Sequence, residues 1–251
     1  MITGIVVALS EEIVTLTSKP IEKGRCVFIR DKILVARAGM GPVNADAAAE
    51  LLIAKGASQL ISWGCAAALA PSLRPGDLLF ADRLLAADNK EFTVDAGWFE
   101  HTKNLLAGAL SNQRKHGAFC VGMLTQSASL IGSANAKRQA HVLTAALGLD
   151  MESCAVAKVA RQHGLPFLAI RAIADPAGMG LPGAVVHATN ADGEVALGKL
   201  LSHLSRHPAQ LPDLIKLGIY FNKAKRTLKR AAGQLESIAD FACRPAGRQD
   251  S

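Results

Sequence analysis

The chain has 251 residues, of which 50% are hydrophobic and only 4% aromatic, and this length allows one sizeable core without disulfides or metals. Its formal net charge is +7, but residues 205–251 carry nine Lys and Arg against four Asp and Glu, whereas residues 1–204 carry nineteen against seventeen. The nearly neutral body lacks the clustered positive charge of a nucleic-acid enzyme, so we expect no nucleic-acid partner.

Short patterns argue against several other classes. The five cysteines are odd in number and form no CxxC pair, so neither a disulfide framework nor a zinc site is indicated. No basic residue precedes the apolar residues 2–9, and Glu11 and Glu12 follow them closely. This pattern favours a first buried strand over a signal peptide. No segment approaches the roughly 20 apolar residues of a membrane-spanning helix. We expect a cytoplasmic protein that uses no metal and no cofactor.

Along the chain, short β-rich apolar runs alternate with Ala-rich helical stretches. The predicted strands are residues 4–9, 25–30, 32–38, 59–63, 77–81, 118–124 and 167–173. The predicted helices are residues 42–55, 97–113, 134–146, 151–163 and 192–203. This alternation is typical of an α/β fold with helices on both faces of one sheet, and we assign residues 1–204 to a single catalytic domain.

The character of the sequence changes after His203, where Pro208 and Pro212 bracket a short linker. Residues 205–251 form a basic tail, and its apolar side chains follow helical spacing at Leu214, Leu217, Phe221, Ala224, Leu228, Ala231, Leu235 and Ile238. Such a basic amphipathic helix can pack on the body, on a second subunit, or on an anionic membrane surface. The sequence leaves these alternatives open.

Two acidic residues, Glu152 and Asp175, lie at predicted element ends where a carboxyl group can contact a bound ligand. Glu152 is predicted near the start of a helix, where it can accept hydrogen bonds from a ribose diol while Met151 lies against the sugar. Asp175 is predicted at the end of an apolar strand, where burial can raise its pKa and keep a proton for a leaving base. Taken singly, these residues are more often a helix-dipole Glu, a core Met and a turn Asp before Pro176.

Three further segments lie at predicted strand ends. Glu11 and Glu12 follow the first strand, so at least one can reach the carboxyl edge of the sheet and activate water. The turn at residues 39–41 lacks the third glycine of a dinucleotide fingerprint because Asn44 stands there, which disfavours an NAD-dependent oxidoreductase. Small residues at 64–69 predict a second turn that either admits a ligand to the backbone or packs a helix tightly on the sheet.

Five segments together resemble the superfamily of purine nucleoside phosphorylases and methylthioadenosine/S-adenosylhomocysteine nucleosidases, in order over residues 1–203. They are residues 4–12 (GIVVALSEE), 39–41 (GMG), 64–69 (GCAAAL) with 75–77 (PGD), 150–152 (DME) and 171–175 (RAIAD). The resemblance implies a three-layer α/β/α sandwich with a mixed central sheet, commonly assembled as a homodimer.

The same resemblance implies roles for individual residues. Asp175 would protonate or hydrogen-bond the purine, Glu12 would activate water, and Met151 and Glu152 would hold the ribose. Further substrate contacts would come from Leu130, Ile131, Ala66, Ala67 and Leu9.

Departures from the family pattern bear on whether water or phosphate attacks the nucleoside. Ser62 stands where hexameric phosphorylases place a phosphate-binding Arg, and the first loop lacks their Gly-Asp-Pro-x-Arg pattern. Phosphate needs such partners, so hydrolysis by water is favoured over phosphorolysis. Leu130 replaces an aromatic residue that stacks on the base in many relatives. Ala174 replaces a Ser whose hydroxyl would help to orient Asp175.

Within the superfamily, the Ala-rich body, the Ala-Asp-Pro strand end and the basic tail are most similar to the hopanoid-associated phosphorylases. This resemblance implies that adenine is removed from adenosylhopane, a lipid-linked nucleoside, to leave ribosylhopane. The helix would then hold the protein on the inner face of the membrane, and an apolar channel beside Leu9 would receive the 5′ group. Alternatives are a phosphate-dependent phosphorylase, a methylthioadenosine/S-adenosylhomocysteine nucleosidase, and a non-catalytic lipid- or partner-binding protein.

Overall fold

A mixed β-sheet forms the centre of the molecule in the computed structural model, which describes residues 1–111, 117–127, 131–188 and 197–241. The strands in these ranges are β1 (Ile2–Val7), β2 (Cys26–Arg30), β3 (Ile33–Arg37), β4 (Ala57–Ala68), β5 (Leu78–Leu85), β6 (Glu91–Thr93), β7 (Phe119–Gln126), β8 (Gly148–Asp150) and β9 (Phe167–Asp175).

Helices connect and cover these strands. They are α1 (Ser10–Ile13), α2 (Pro42–Ala54), α3 (Ala96–Ser111), α4 (Ala134–Thr144), α5 (Ser153–Gln162), α6 (Gly183–Ala188), α7 (Leu197–Arg206), α8 (Leu211–Ala231) and α9 (Leu235–Ala239). In the described part of the chain, no helix has both the length and the apolar character needed to cross a membrane.

The sheet runs in the order β2-β3-β1-β4-β8-β7-β5-β6, and β9 pairs with both β4 and β5. Strands β1, β3, β4 and β9 are parallel through their pairings, whereas β8 is antiparallel to β4 and β9 is antiparallel to β5. The pairings β4-β9-β5-β7-β8-β4 therefore close a ring. This closure brings the ends of β4, β8 and β9 together on one edge.

Two apolar layers lie on the two faces of the sheet. One layer contains Leu52 of α2 and Val156 of α5, packed with strand residues such as Leu60. The other contains Leu106 of α3 and Leu228 of α8, packed with Ile170 and its neighbours. Helices on both faces of a mixed sheet confirm the predicted α/β sandwich.

The basic amphipathic helix α8 packs against the sheet through its second half. Thr227 donates a hydrogen bond to the carbonyl of Gly76 at 2.6 Å, and the Gly76 amide donates to Ile173 near the carboxyl end of β9. Farther on, the carbonyl of Ala239 accepts a hydrogen bond from Gln59 near the amino end of β4. The chain from α8 to α9 therefore runs from the carboxyl edge of the sheet to its amino edge.

Several element boundaries differ from those predicted. Strand β4 continues to Ala68, so the predicted turn at residues 64–69 is wrong, because its small residues pair with β8 and β9 instead of bending. The short strands β6 and β8 were not predicted, since each has only three residues. Helix α5 begins at Ser153, one residue after Glu152. The predicted helix start at residues 192–196 lies outside the described residues.

The packing of α8 predicts a large effect of Leu228→Ala. Leu228 is fully buried, so its truncation should leave a cavity and lower the free energy of unfolding by about 2–5 kcal/mol. Urea denaturation followed by tryptophan fluorescence measures this, because Trp63 and Trp98 are fully buried. Leu143→Ala on α4 is the matched control, since Leu143 is 83% exposed and should change stability by less than about 0.5 kcal/mol. Equal unfolding midpoints for the two variants would contradict this packing.

Candidate functional site

The carboxyl end of β4 brings two of the predicted acidic segments to the same place. Ala67 pairs with Leu149 of β8 on one side and with Asp175 of β9 on the other. Neighbouring strands lie about 4.8 Å apart, so the backbones at Leu149 and Asp175 are separated by about 10 Å. The segment carrying Glu152 and the carboxyl group of Asp175 thus flank one strand end.

Arg171 has a buried guanidinium that forms hydrogen bonds with groups on the β8 side of this edge. Arg171 of β9 is 3% exposed, and its Nε donates to Asp150 Oδ2 at 2.6 Å. Its Nη2 donates to the hydroxyls of Ser62 at 2.6 Å and Ser153 at 3.0 Å. Ser62 is therefore part of the hydrogen-bond network around Arg171.

Glu12 reaches this edge from α1, directly after β1. Its Oε1 accepts a hydrogen bond from the Cys65 amide at 2.7 Å, and its Oε2 accepts one from the Leu9 amide at 3.1 Å. A Cβ atom at Gly64 would lie 2.7 Å from Oε1 of Glu12 and 2.9 Å from Nη1 of Arg171, so glycine is needed for this approach. Burial raises the pKa of Glu12, and the nearby positive charge of Arg171 opposes that rise. The neighbouring Glu11 is exposed.

Glu152 precedes the first residue of α5 and is also buried. Its Oε1 accepts a hydrogen bond from the amide of Gly41 at 2.7 Å. Gly41 is the residue just before α2 and has φ +94, a conformation that favours glycine. The Met151 amide is 3.3 Å from Oε2. Burial and the nearby Asp150 raise the pKa of Glu152 to about 7, against the attraction of Arg171. Glu152 therefore changes charge close to neutral pH.

Asp175 ends β9 and is 8% exposed. Its Oδ1 lies 2.6 Å from Nζ of Lys137, a fully buried residue on α4. Burial raises the pKa of Asp175, whereas the Lys137 ammonium opposes the rise. The raised pKa agrees in direction with the sequence-based prediction, but the adjacent cation was not predicted.

The other predicted substrate contacts have different placements. Ala66 is buried and Ala67 half-buried on β4, while Leu9 and Met151 are half-buried beside Glu12 and Glu152. Ile131 packs against the small cluster that includes Leu149. Leu130 lies outside the described residues.

Sequence reasoning missed the residues that support the predicted acids. Asp150 and Arg171 lie in the motifs at residues 150–152 and 171–175, but the spacing of these motifs does not indicate that the two side chains form an ion pair. Lys137 stands in an Ala-rich predicted helix, and nothing local distinguishes it from the exposed Arg138 next to it. Among the described residues, no cluster of three or more His, Cys, Asp or Glu side chains could hold a metal ion.

Known proteins share both sequence and fold with this chain. A 5′-methylthioadenosine/S-adenosylhomocysteine nucleosidase of Staphylococcus aureus strain JH9 is 28% identical over 194 residues, covering 68% of this chain and 85% of the relative. The nucleosidase of the same name from Neisseria meningitidis, solved with methylthio-immucillin-A, has a TM-score of 0.68 at 18% identity and covers 94% of this chain and 98% of its own. Futalosine hydrolase of Helicobacter pylori strain 26695 has a TM-score of 0.66 at 18% identity, covering 95% and 97%.

These solved structures confirm the predicted fold. The family model described as the phosphorylase superfamily matches residues 3–206, which is most of the chain and contains every acidic residue of the site. The chain belongs to the phosphorylase superfamily.

Proposed function

We propose that this protein cleaves the N-glycosidic bond of an adenine nucleoside, with water as the attacking group and no cofactor. The observation that carries the proposal is that Asp175 and the strand leading to Glu152 lie on either side of the β4 end, where the backbones at Leu149 and Asp175 are about 10 Å apart. A nucleoside spans a distance of that order between its base and its sugar hydroxyls. The nucleosidase relatives support the same reaction class.

Each acidic group has a chemical role in this proposal. Asp175 donates a proton or a hydrogen bond to the purine ring, which makes the base a better leaving group. Glu152 accepts hydrogen bonds from the ribose diol, and Met151 lies against the sugar. Glu12 removes a proton from the attacking water, a task that a buried carboxylate with a raised pKa performs more strongly than an exposed one.

The hydrogen bonds that Arg171 already makes within the protein favour water over phosphate as the attacking group. Arg171 is the cation beside Glu12, and its Nε and Nη2 already donate to Asp150, Ser62 and Ser153. A phosphate dianion at this edge would also meet the carboxylate of Glu12, which repels it. A water molecule meets no such repulsion and can donate a hydrogen bond to Glu12.

Incubation of the purified protein with 5′-methylthioadenosine tests the reaction class. We expect adenine and a free sugar in phosphate-free buffer, and no increase in rate when phosphate is added. Mass spectrometry of both products distinguishes a free from a phosphorylated sugar. Adenine release that depends on phosphate would contradict hydrolysis, and no release from this nucleoside or from adenosylhopane would contradict the proposed function as a whole.

Glu12→Gln should lower kcat by about 10²–10⁴-fold in the same assay, because the amide cannot take a proton from water. Glu11→Gln is the matched control, since Glu11 is exposed and its side chain accepts a hydrogen bond only from the adjacent Ser10 among the described residues. The control should keep the wild-type rate. If the two variants had equal activity, Glu12 would not be the base.

We further propose adenosylhopane as the substrate and an anionic membrane as the surface that α8 contacts. The first half of α8 supports this, because Leu211, Ile215 and Ile219 are 48%, 56% and 52% exposed and recur every four residues on one face. Lys216 and Lys223 flank this exposed stripe, each within 6 Å of the Tyr220 ring. Exposed apolar residues beside basic ones are typical of a helix that lies at a lipid interface.

The position of the exposed stripe also supports a substrate with an apolar 5′ group. Thr227 lies level with the carboxyl end of β9, and Leu211 precedes it by about 24 Å along the helix axis. The exposed half of α8 therefore projects beyond the carboxyl edge, on which the candidate site lies. Gln210 accepts a hydrogen bond from the Ala184 amide of α6, which follows Asp175 in the chain.

The homodimer implied by the family resemblance stays a prediction.

Vesicle sedimentation tests the membrane surface. With vesicles of phosphatidylglycerol and phosphatidylcholine, the double variant Ile215→Ser, Ile219→Ser should bind at least about tenfold more weakly than wild type. Binding should also weaken as salt is added. Val142→Ser, Leu143→Ser on α4 removes similar exposed side chains and should bind as wild type does. Both variants should still cleave 5′-methylthioadenosine, and equal vesicle binding by the two would contradict the assignment of this stripe.

A further inference from the structure

Lys137 of α4 is a fully buried cation in contact with Asp175. Its Nζ donates hydrogen bonds to the carbonyls of Met179 at 2.8 Å and Pro176 at 3.1 Å, and it lies 2.6 Å from Asp175 Oδ1. Burying a lysine is costly unless its charge is paired and its protons are satisfied. Here one side chain contacts the acid and the loop that follows it.

The three partners of Lys137 fit its charged form. All three neighbours are oxygens, and an ammonium has three N–H donors, whereas a neutral amine has only two and a lone pair that the third oxygen would repel. Oδ1 of Asp175 therefore lies against the positive charge of Lys137 as an ion pair. When Asp175 is itself protonated, its proton must be on Oδ2.

We propose that Lys137 is a positioning residue, which holds Asp175 by Oδ1 so that Oδ2 carries the proton given to the leaving base. This inference rests on the proposed function and adds a residue to it. Within the described residues, Oδ1 is a buried oxygen that meets the Lys137 ammonium as an ion pair, whereas Oδ2 makes no hydrogen bond to the protein and is the oxygen left for a ligand.

The same ammonium sets the pH range of the acid. In the described part of the chain, β4 places Ala66 and Ala67 beside Asp175, the following loop presents backbone, and Lys137 of α4 is the charged group that acts on it. Burial raises the pKa of Asp175 and Lys137 opposes that rise. Removing the ammonium should therefore raise the pKa of Asp175 further. The protonated acid would then persist to higher pH.

A purely structural ion pair is the alternative, in which Lys137 serves only to neutralise a buried carboxylate. Loss of the ammonium raises the pKa of Asp175 in either role, so the alkaline limb moves in both. The two roles differ in kcat at pH values below that limb, where Asp175 is protonated. A structural role changes stability and the active fraction but leaves this plateau kcat of the folded protein unchanged, whereas a positioning role lowers it.

The experiment compares Lys137→Met with Arg138→Met, the removal of an exposed cation one residue away. Lys137→Met should lower kcat for 5′-methylthioadenosine by about tenfold to a hundredfold, because the acid is less well placed. Its alkaline limb should shift to higher pH. Lys137→Arg keeps the charge and should keep the limb where the wild type has it, and Arg138→Met should match wild type in both respects.

Two further variants complete the test. If Lys137→Met does not fold, Lys137→Gln keeps donors for the two carbonyls without the charge, and should show the same shift of the limb. Adding Lys137→Met to Asp175→Asn should cause no further loss of kcat, because both act on one proton transfer. A wild-type plateau kcat in the folded Met and Gln variants, an unmoved limb, or additive losses in the double variant would each overturn the proposal. Loss of adenine release by the wild type would instead overturn the proposed function.

Discussion

The buried guanidinium of Arg171 makes it possible for several acidic groups to share one edge of the sheet. It pairs with Asp150 at 2.6 Å, and its charge also acts on Glu12 and Glu152. One cation cannot neutralise three buried carboxylates, and burial together with the charge of Asp150 raises the pKa of Glu152 to about 7. Glu152 is therefore the group at this edge that can exchange a proton near neutral pH.

This charge arrangement depends on a strand that carries almost no side-chain bulk where it is needed. At Gly64, a Cβ atom would be within 3 Å of both Glu12 and Arg171. Beyond it, β4 has only Cys65 and three alanines before it ends, which leaves room for groups from β8 and β9 on either side. The sequence analysis assigned these small residues to a turn. In the structure they form the end of β4, between the segments that carry the predicted acids.

The sequence predicts Glu12 and Asp175 from their positions after predicted strands, whose carboxyl ends share an edge in a parallel arrangement, and it predicts Glu152 from its position near the start of a predicted helix. It does not predict Lys137, since that contact depends on how α4 and the loop after β9 fold against each other across almost forty residues of sequence. Similarly, the extension of β4 depends on pairing with β8 and β9, which no local pattern encodes. Tertiary contacts, rather than local propensity, decide these features.

The apolar residues of α8 follow one periodic pattern, but the two halves of the helix have different surroundings. Its second half, with Leu228, is buried against the sheet, whereas its first half leaves Ile215 and Ile219 open. A continuous amphipathic pattern cannot distinguish them, because both place apolar residues at the same spacing. Since a single helix spans both halves, the packing around Thr227 and Leu228 fixes the distance from the exposed stripe to the carboxyl edge. Any surface that binds the stripe is therefore held at a set position relative to the candidate site, without a flexible linker between them.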